Sequence, residues 1–409
     1  MKATLRTTLA TVAVATLSAI TSVSEAQSDE RAPRARVPAG PLGPNGDFGD
    51  PLPGLDDVLT AAFNDGLSEF QSVDTAASGL GPAFNNNSCV ACHSSPAPGG
   101  DSNILETRFG HVDNGRFDPM IELGGSLLQQ SAIRPQCQEF VPATANVTAR
   151  RKTTPLFGLG LIEAIPDDTI KALAARSKPD GVSGRASSVV DVASGQTLVG
   201  RFGWKAQQAT LLAFSGDAYV NEMGITNRLF PAENAPNGSA ALLANCDSVA
   251  DPEDRTDPAT GKADIDRFTD FMRLLAPPPR LPMTPSALAG ALTFRQSGCS
   301  SCHTPILLTG PSSIAALDRK IVALFSDLLL HDMGSLGDGI AQGTAGMTEM
   351  KTPPLWGLRS RQTYLHDGRA STVDMAIRAH DGEASAARDR YSNLQHGDQM
   401  NLLEFLGRI

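Results

Sequence analysis

Apolar residues recur at helical spacing near the end of each half of this 409-residue chain. Two sets share the spacing i, i+3, i+4, i+7, namely Phe268, Phe271, Met272 and Leu275 in the first half and Leu402, Phe405, Leu406 and Ile409 in the second. This spacing places the four side chains of each set on one face of a helix. Alternation of apolar and polar residues, which would predict strands, is scarce. The pattern therefore predicts a mainly α protein with long loops, in which each half closes on an amphipathic helix.

The segment between these two stripes predicts a junction. After the first stripe the chain reads LLAPPPRLPMTP, where three consecutive prolines stop a helix and stiffen the connection. Thr284 and Pro285 have the residue types preferred at a helix cap and at the first helical position, and the apolar run SALAGALTFRQSG follows them. We expect a new helix to begin at Pro285. The run GLDDVLTAAFNDGLSEF holds the matching place in the first half.

Two motifs indicate that the halves are copies of one unit. C-x-x-C-H occupies residues 89–93 and again residues 299–303. The stretch KTTPLFGL at 152–159 returns as KTPPLWGL at 351–358. This internal duplication predicts two tandem domains, 55–276 and 285–409.

The first residues are typical of an export signal. Lys2 and Arg6 give a basic start, the run TTLATVAVATLSAI is apolar, and Ser24-Glu25-Ala26 is a small-x-small cleavage pattern. Residues 1–26 are therefore a predicted signal peptide cleaved after Ala26, and an uncleaved membrane anchor is the alternative. Residues 27–54, rich in Pro, Gly and charge, are predicted to be a flexible lead-in. The expected location is the periplasm, with no membrane span after cleavage.

Charge and cysteine content narrow the expected partners and chemistry. A formal net charge of -10 argues against a nucleic-acid partner. It suits a basic electron-transfer partner, although a solubilising surface accounts for it equally simply. Cys137 and Cys246 are the two cysteines outside C-x-x-C-H. In an oxidising compartment we expect them to form one disulfide within the first domain.

The paired C-x-x-C-H motifs have three interpretations: a thiol/disulfide redox centre, a zinc site split between two halves, or two covalently attached haems. Structural zinc sites gather their ligands within about 12 to 20 residues, whereas these motifs stand in separate copies. A reactive dithiol needs a helix start within a βαβ pattern, which neither motif has. Haem attachment uses every residue of both motifs. Cysteines would bond the haem vinyl groups and histidines would ligate iron: Cys89, Cys92 and His93 in one, Cys299, Cys302 and His303 in the other.

The favoured interpretation is therefore two c-type haems in two cytochrome c-like domains. The chain resembles the bacterial di-haem oxidoreductases, often labelled thiol oxidoreductases, which are similar in turn to di-haem cytochrome c peroxidases and to the di-haem enzyme that matures methylamine dehydrogenase. The resemblance covers roughly residues 50 to 409. It rests on these stretches: GLGPAFNNNSCVACH, TTPLFGLGLIEAIPD, GRFGWKAQQATL, GCSSCHTP, LLLHDMG and KTPPLWGLRSRQTYLHDGRAST.

The resemblance implies a second axial ligand for the second haem. In the related peroxidases a Met follows the His of a Tyr-x-His-x-Gly stretch by fourteen residues. Here YLHDG contains His366, and fourteen residues later stands His380. We therefore expect His303 and His380 to ligate the second iron, a departure that would lower its potential. A solvated His380 is the alternative, with His331 and Met333 as fallback ligands.

The first half has no histidine at the matching place. Aligning the two halves puts Glu163 opposite His366. A carboxylate there would move a proton between the two oxygens of peroxide beside an open iron, and an ordinary salt-bridged Glu163 is the alternative. His111, eighteen residues after His93, is a further candidate, as a displaceable sixth ligand.

Only two tryptophans occur, Trp204 and Trp356. In the relatives a Trp lies between the haems, and Trp204 in GRFGWKAQQ is the candidate here, because an indole can relay an electron hole. In those relatives the Trp precedes the acidic residue, whereas Trp204 follows Glu163. Core packing is the alternative, and Trp356 is the other candidate.

Lys351 and Thr352, with their copies Lys152 and Thr153, open the second repeated motif. We expect them at the haem propionates or along the haem edge. Loop structure accounts for them nearly as well.

Together these features predict a periplasmic, peroxidase-like, di-haem c-type oxidoreductase that passes electrons from the second haem to an open first haem. Electrons would come from a small donor protein or from quinol, and the oxidant would be a small molecule such as peroxide. Two rival functions stay open. One is a non-catalytic di-haem electron carrier with both irons six-coordinate, and the other is a di-haem oxygenase acting on an organic or polymeric substrate.

Overall fold

Helices form most of the regular structure in the computed structural model, which describes residues 46–409. In chain order they are α1 Asp57–Phe70, α2 Cys89–Cys92, α3 Leu159–Glu163, α4 Asp167–Ala174, α5 Leu211–Met223, α6 Ala240–Cys246, α7 Asp264–Leu274, α8 Pro285–Gln296, α9 Val373–Arg378, α10 Ser385–Ser392 and α11 His396–Leu406. The predicted mainly α character is confirmed.

Short strands make up the remaining regular structure. They are β1 Ala83–Phe84, β2 Leu105–Asp113, β3 Arg116–Asp118, β4 Leu127–Leu128, β5 Ser131–Ala132, β6 Val147–Lys152, β7 Ser187–Val190, β8 Thr197–Gly200, β9 Leu307–Leu308, β10 Ile321–Val322, β11 Leu330–Asp332 and β12 Glu349–Lys351. The long strand β2 pairs antiparallel with β3, β4 and β6. The sequence did not predict this sheet, because β2 reads LETRFGHVD, in which apolar residues are few and do not alternate with polar ones.

The two predicted amphipathic helices are present, and both bury their apolar stripes. Helix α7 packs against α1, and α11 packs against α8. All eight stripe residues are at most 4 % exposed. Because each such buried side chain stabilises the fold by about 1.5–3 kcal/mol, these contacts hold each half together. The same helix pairing in both halves agrees with the duplication read from the sequence.

Helix α8 begins where the sequence predicted. The hydroxyl of Thr284 accepts a hydrogen bond from the backbone N–H of Ala287 at 3.1 Å, and Pro285 is the first helical residue. Proline loses nothing at this position, since the first N–H groups of a helix have no partner within it. The preceding residues, 276–283, form no helix or strand.

The two halves share a hydrophobic core. The larger cluster of buried side chains contains Phe271 from the first half together with Leu324 and Trp356 from the second. A smaller cluster lies between α8 and α11 and includes Phe294 and Phe405. The two halves therefore do not form separate hydrophobic cores. The domain boundaries 55–276 and 285–409 stay a prediction.

Of the predicted N-terminal segments, only residues 46–54 lie within the described residues; the signal peptide 1–26 and residues 27–45 lie outside them. Leu52 is 2 % exposed and its N–H donates to the carbonyl of Leu274 at 2.7 Å, while Phe48 packs edge-on against Phe157. Phe48 and Leu52 therefore find apolar partners, and the flexible lead-in 27–54 stays a prediction. Among the helices of residues 46–409, none has the length and apolar character needed to cross a bilayer.

The predicted disulfide is present between Cys137 and Cys246, whose Cα atoms are 6.0 Å apart. It closes a loop with a sequence separation of 109 residues and joins a turn ahead of β6 to the end of α6. Both cysteines are fully buried. The other four cysteines are unpaired.

Candidate active site

Each C-x-x-C-H motif lines a cleft, and we call these the first cleft (residues 89–93) and the second cleft (residues 299–303). In both motifs the backbone N–H of the histidine donates to the backbone carbonyl of the first cysteine, at 3.0 Å for His93 and 2.9 Å for His303. One turn therefore brings both cysteines and the histidine together, as residues three and four apart do on a helix. With their open mouths included, the clefts enclose about 1290 and 1410 Å³ of space.

In the first cleft, His93 is prepared to bind a metal. Its Nδ1 lies 3.2 Å from the carbonyl of Gly100, which favours a hydrogen on Nδ1 and leaves Nε2 as the ligand atom. Burial lowers the pKa of His93 to about 4. The imidazole is therefore neutral, the form that ligates metals.

In the second cleft, His303 and His380 face each other. Their ring centroids are 6.5 Å apart. One metal ion between two imidazoles requires roughly 6 Å, since each metal–nitrogen bond is about 2 Å and each nitrogen lies roughly 1 Å from its ring centre. Both Nδ1 atoms lie near carbonyls, at 3.0 Å from Phe325 and 2.8 Å from Ala376. The geometry thus fits His380 as the second axial ligand.

His331 also lines the second cleft, but both of its nitrogens are occupied. Nδ1 lies 2.8 Å from a carboxylate oxygen of Glu383, and Nε2 lies 3.0 Å from one of Asp327. Burial disfavours the charged ring, yet the hydrogen bonds to Asp327, Cys302 and Glu383 outweigh it and raise the pKa of His331 to about 11. With both nitrogens hydrogen-bonded, His331 does not fit the fallback ligand role, whereas the other fallback residue, Met333, lines the second cleft.

His111 is not a ligand of the first cleft either. It lies on β2, its Nδ1 is 2.7 Å from the carbonyl of Thr144, and it does not line the first cleft. Its spacing of eighteen residues from His93 does not bring it there, because on β2 its side chain points to the face opposite Glu106 and Arg108, which line the cleft.

Glu163 lies outside both clefts, so the prediction that it acts beside the first iron is wrong. One of its carboxylate oxygens accepts from the N–H of Leu211 at 2.7 Å, and the other accepts from Nε of Arg273 at 2.8 Å. It therefore joins α3 to α5 and α7. The alignment with His366 failed because the two copies diverge after their repeated motif.

Trp204 lines both clefts, which is the position expected for a residue between two haems. Its indole N–H donates to the carbonyl of Lys152 at 2.8 Å, and its ring lies edge-on to His366 with centroids 6.3 Å apart. Trp356, the other candidate, is 4 % exposed in the core and packs against Gly158. The relay role of Trp204 stays a prediction.

The repeated Lys-Thr pairs occupy matching places. Lys351 and Thr352 line the second cleft, and Lys152 and Thr153 line the first. Burial lowers the pKa of Lys351 to about 8. Lys152 forms a buried ion pair with Asp101 at 2.6 Å. Their contact with haem propionates stays a prediction.

The first cleft is also lined by a group of charged residues that were not predicted from the sequence: Glu106, Arg108, Asp217 and Glu222. Arg108 donates from Nε and Nη2 to the two carboxylate oxygens of Glu106, at 3.0 and 3.2 Å. Asn85 donates to Glu222 at 2.6 Å, and the nearby charge of Glu106 raises the pKa of Glu222. Asp217 and Glu222 follow Trp204 in the chain, which is the order that the resemblance implied and Glu163 broke.

Arg151 carries an unused donor in the wall of the first cleft. Its Nε donates to Asp338 at 2.7 Å and its Nη1 to Gln342 at 2.5 Å, whereas its buried Nη2 has no partner among the described residues. The side chain is only 2 % exposed. A buried unpaired donor is costly, and an anionic group in the cleft would satisfy it.

The residues of both clefts fit a covalently attached haem. Each cleft offers two free thiols and a half-buried histidine on one turn. The unpaired donor of Arg151 suits a propionate, and the walls carry apolar side chains: Phe70, Leu156, Tyr219 and Met272 in the first, Phe294, Leu355, Leu358 and Leu406 in the second.

Comparison with protein families supports this fit. Residues 143–409 match the family described as di-haem oxidoreductase, putative peroxidase. The match spans more than half of the chain, and the chain therefore belongs to this di-haem oxidoreductase family. Membership implies two haems.

Several solved structures show a distant likeness to this chain. Hydrazine synthase of Kuenenia stuttgartiensis is 15 % identical over 97 % of this chain and 100 % of that chain, with a TM-score of 0.41. A MauG-like protein associated with microbial copper homeostasis is 17 % identical over 62 % and 88 %, with a TM-score of 0.30. The di-haem peroxidase BthA from Burkholderia thailandensis is 14 % identical over 89 % and 88 %, with a TM-score of 0.28. No curated protein matches the chain.

Proposed function

We propose that this chain is an exported, peroxide-reducing enzyme with two covalently attached c-type haems. The asymmetry of the two clefts carries this proposal. In the second cleft two histidines face each other at 6.5 Å, whereas the residues that line the first cleft include three carboxyl groups and no histidine besides His93. One site is thus built to transfer electrons and the other to move protons.

The haems would be held by residues that both motifs supply. Cys89 and Cys92 would attach the first haem, with His93 as its axial ligand. Attachment and ligation of the second would use Cys299, Cys302, His303 and His380. A bound haem supplies redox chemistry and an iron at which peroxide binds. Arg151 and Lys152 in the first cleft, and Lys351 and Thr352 in the second, would contact propionates.

Electrons would enter at the second cleft from a small donor protein or from quinol. Trp204 would carry them onward, because it lines both clefts. Reduction of one hydrogen peroxide to two waters consumes two electrons and two protons. The donor supplies the electrons, and the protons must pass through the polar wall of the first cleft.

Glu222 is the group best suited to move a proton between the two peroxide oxygens. Burial and the charge of Glu106 raise the pKa of Glu222 to about 8. A group whose pKa lies near the working pH gives and takes protons with comparable ease, which is what general acid–base catalysis requires. Asn85 orients the carboxyl group through its 2.6 Å hydrogen bond.

A pure electron carrier would leave these carboxyl groups without a use. Placing Glu106, Asp217 and Glu222 in one cleft wall costs free energy through desolvation and mutual repulsion, and burial raises the pKa of both Asp217 and Glu222. A role in proton transfer would account for these carboxyl groups being kept in the cleft wall despite that cost. Electron transfer alone gives them no role.

Substitution of Glu222 tests the proposal. Glu222→Gln should lower kcat for peroxide reduction by about 10²- to 10⁴-fold and leave the absorption spectra of both haems unchanged. Glu163→Gln, the same change outside the clefts, should keep full turnover. Full turnover in the Glu222 variant would remove the carboxyl group from the reaction and favour the electron carrier.

A further inference from the structure

The sheet presents three charges to the first cleft on one face. Glu106 and Arg108 are two residues apart on β2, so their side chains point the same way. Arg151 on β6 stands directly opposite Glu106 in the antiparallel register, and opposite residues share a face. All three line the first cleft. Helix α5 forms another wall and contributes Asp217 and Glu222.

Glu106 is held by a two-point ion pair. Both of its oxygens accept from Arg108, at 3.0 and 3.2 Å, and the side chains are 21 % and 14 % exposed. Burial alone would favour the protonated acid, but Arg108 and Arg151 outweigh it and hold the pKa of Glu106 below its usual range. Glu106 is therefore the ionised member of the cluster.

Glu222 has the opposite surroundings. It lines the same cleft as the ionised Glu106, whose charge raises the pKa of Glu222, and its own hydrogen-bond donor, Asn85, is uncharged. Arg108 acts on it only at longer range, because the guanidinium is committed to Glu106. Two neighbouring carboxyl groups cannot both ionise cheaply. The other ionisable groups facing the pair are Asp217 on α5, Arg151 on β6 and the thiol of Cys92.

We propose that Glu106 and Glu222 share one proton, which Arg108 directs to Glu222 by fixing Glu106 as the anion. This inference rests on the proposed acid–base function of Glu222. Glu106 is then a positioning residue, since it acts on peroxide only through Glu222.

The shared proton has a direct chemical use. Glu106, held as the anion, keeps a proton on Glu222 and so makes Glu222 a ready donor. Glu222 can give this proton to one peroxide oxygen, which leaves as water when the O–O bond breaks, and take the proton of the other oxygen in return. The two electrons from the donor and two protons from solvent then reduce the remaining oxygen to the second water. The pair ends with the same number of protons, so it needs no recharging from solvent within the step.

The test follows the protonated carboxyl group of the holoenzyme by infrared spectroscopy against pH, beside the pH profile of kcat. In the wild type the carboxylic acid band should titrate near pH 8, and Glu222→Gln should abolish it. Glu106→Gln removes the neighbouring charge, so the titration should move down by at least one pH unit, and Glu106→Asp should keep most of the wild-type value.

Arg108→Gln gives a change of opposite sign. Without the cation the pair should hold its proton to higher pH, and the band should titrate above the wild-type midpoint. Glu163→Gln should match the wild type in both measurements. A midpoint that neither the Glu106→Gln nor the Arg108→Gln change moves would overturn the inference, because burial alone would then set the proton on Glu222.

Failure of the inference and failure of the proposed function are distinguishable. If Glu222→Gln keeps full peroxide turnover but the infrared midpoints shift as expected, the shared proton stands and its catalytic use is refuted. If turnover falls but the midpoints do not move, Glu222 works alone and the pair is refuted.

Discussion

Replacing His380 tests the asymmetry between the two clefts most directly. The ring centroids of His303 and His380 are 6.5 Å apart, and both Nδ1 atoms are tied to backbone carbonyls. His380→Ala removes one ligand from an iron that the other histidine still holds. We expect that haem to change from low-spin to high-spin, because a five-coordinate ferric haem has a weaker ligand field.

The magnitude follows from the geometry. Of the 6.5 Å between the rings, about 2 Å is the bond to His303 and roughly 1 Å lies within its ring. Removing the second imidazole therefore frees more than 3 Å on the open side of the iron, which is enough for a diatomic ligand. Cyanide or carbon monoxide should bind to two haems per chain in the variant and to one in the wild type.

Matched variants separate ligation from general disturbance. His111→Ala, which removes a histidine outside both clefts, should leave one binding site per chain and unchanged spectra. His380→Met should keep a low-spin haem but raise its reduction potential, because a thioether ligand favours ferrous iron relative to imidazole. A His380→Ala protein that stays low-spin, with a single ligand-binding haem, would refute the assignment and would require His331 to leave its two carboxylate partners.

Two further outcomes test attachment and stability. Replacing Cys89 and Cys92 with Ala should halve the covalently bound haem measured by mass, while the second cleft keeps its haem; unchanged haem content would contradict attachment at that motif. Phe271→Ala, at a side chain with 0 % exposure between α7 and α1, should lower the free energy of unfolding by about 3–5 kcal/mol; Val58→Ala, at a 77 % exposed residue, should stay within about 0.5 kcal/mol of the wild type in the same denaturation experiment.

Sequence was sufficient wherever the determining interactions are local or periodic. The stripes at 268–275 and 402–409, the cap at Thr284 and the C-x-x-C-H turns each depend on residues within about one or two helical turns. His380 was predicted as a ligand from its position fourteen residues after His366, and not from the residues around it. Its carbonyl partner, Ala376, lies only four residues away, so the local helix end already sets the ring's orientation.

The sheet and the shared core were not predictable in the same way. Strand β2 pairs with β6, about forty residues later, and its residues lack the alternation that would reveal two faces. The larger core takes Leu324 and Trp356 from the second half, although the repeats suggest two separate units. Such contacts form between segments that are far apart in the chain. A single sequence does not show which distant segments pack together.

The same distinction explains why the sequence pointed to Glu163, which lies outside both clefts, rather than to a carboxyl group that lines the first cleft. The duplicated part of each copy contains the cysteines and the histidine, which a single turn brings together. The repeated Lys-Thr motif and the closing helices also line both clefts, but other walls come from segments that are not copies of each other: β2 and α5 in the first, and the chain just after α9 in the second. Aligning the copies therefore predicts what the clefts share, the attachment turn, and misleads about what distinguishes them. The second cleft holds two histidines, and the first holds the proposed proton-sharing pair. This difference comes from segments that are not duplicated, so the proposed function depends on the part of the chain that the internal repeat does not cover.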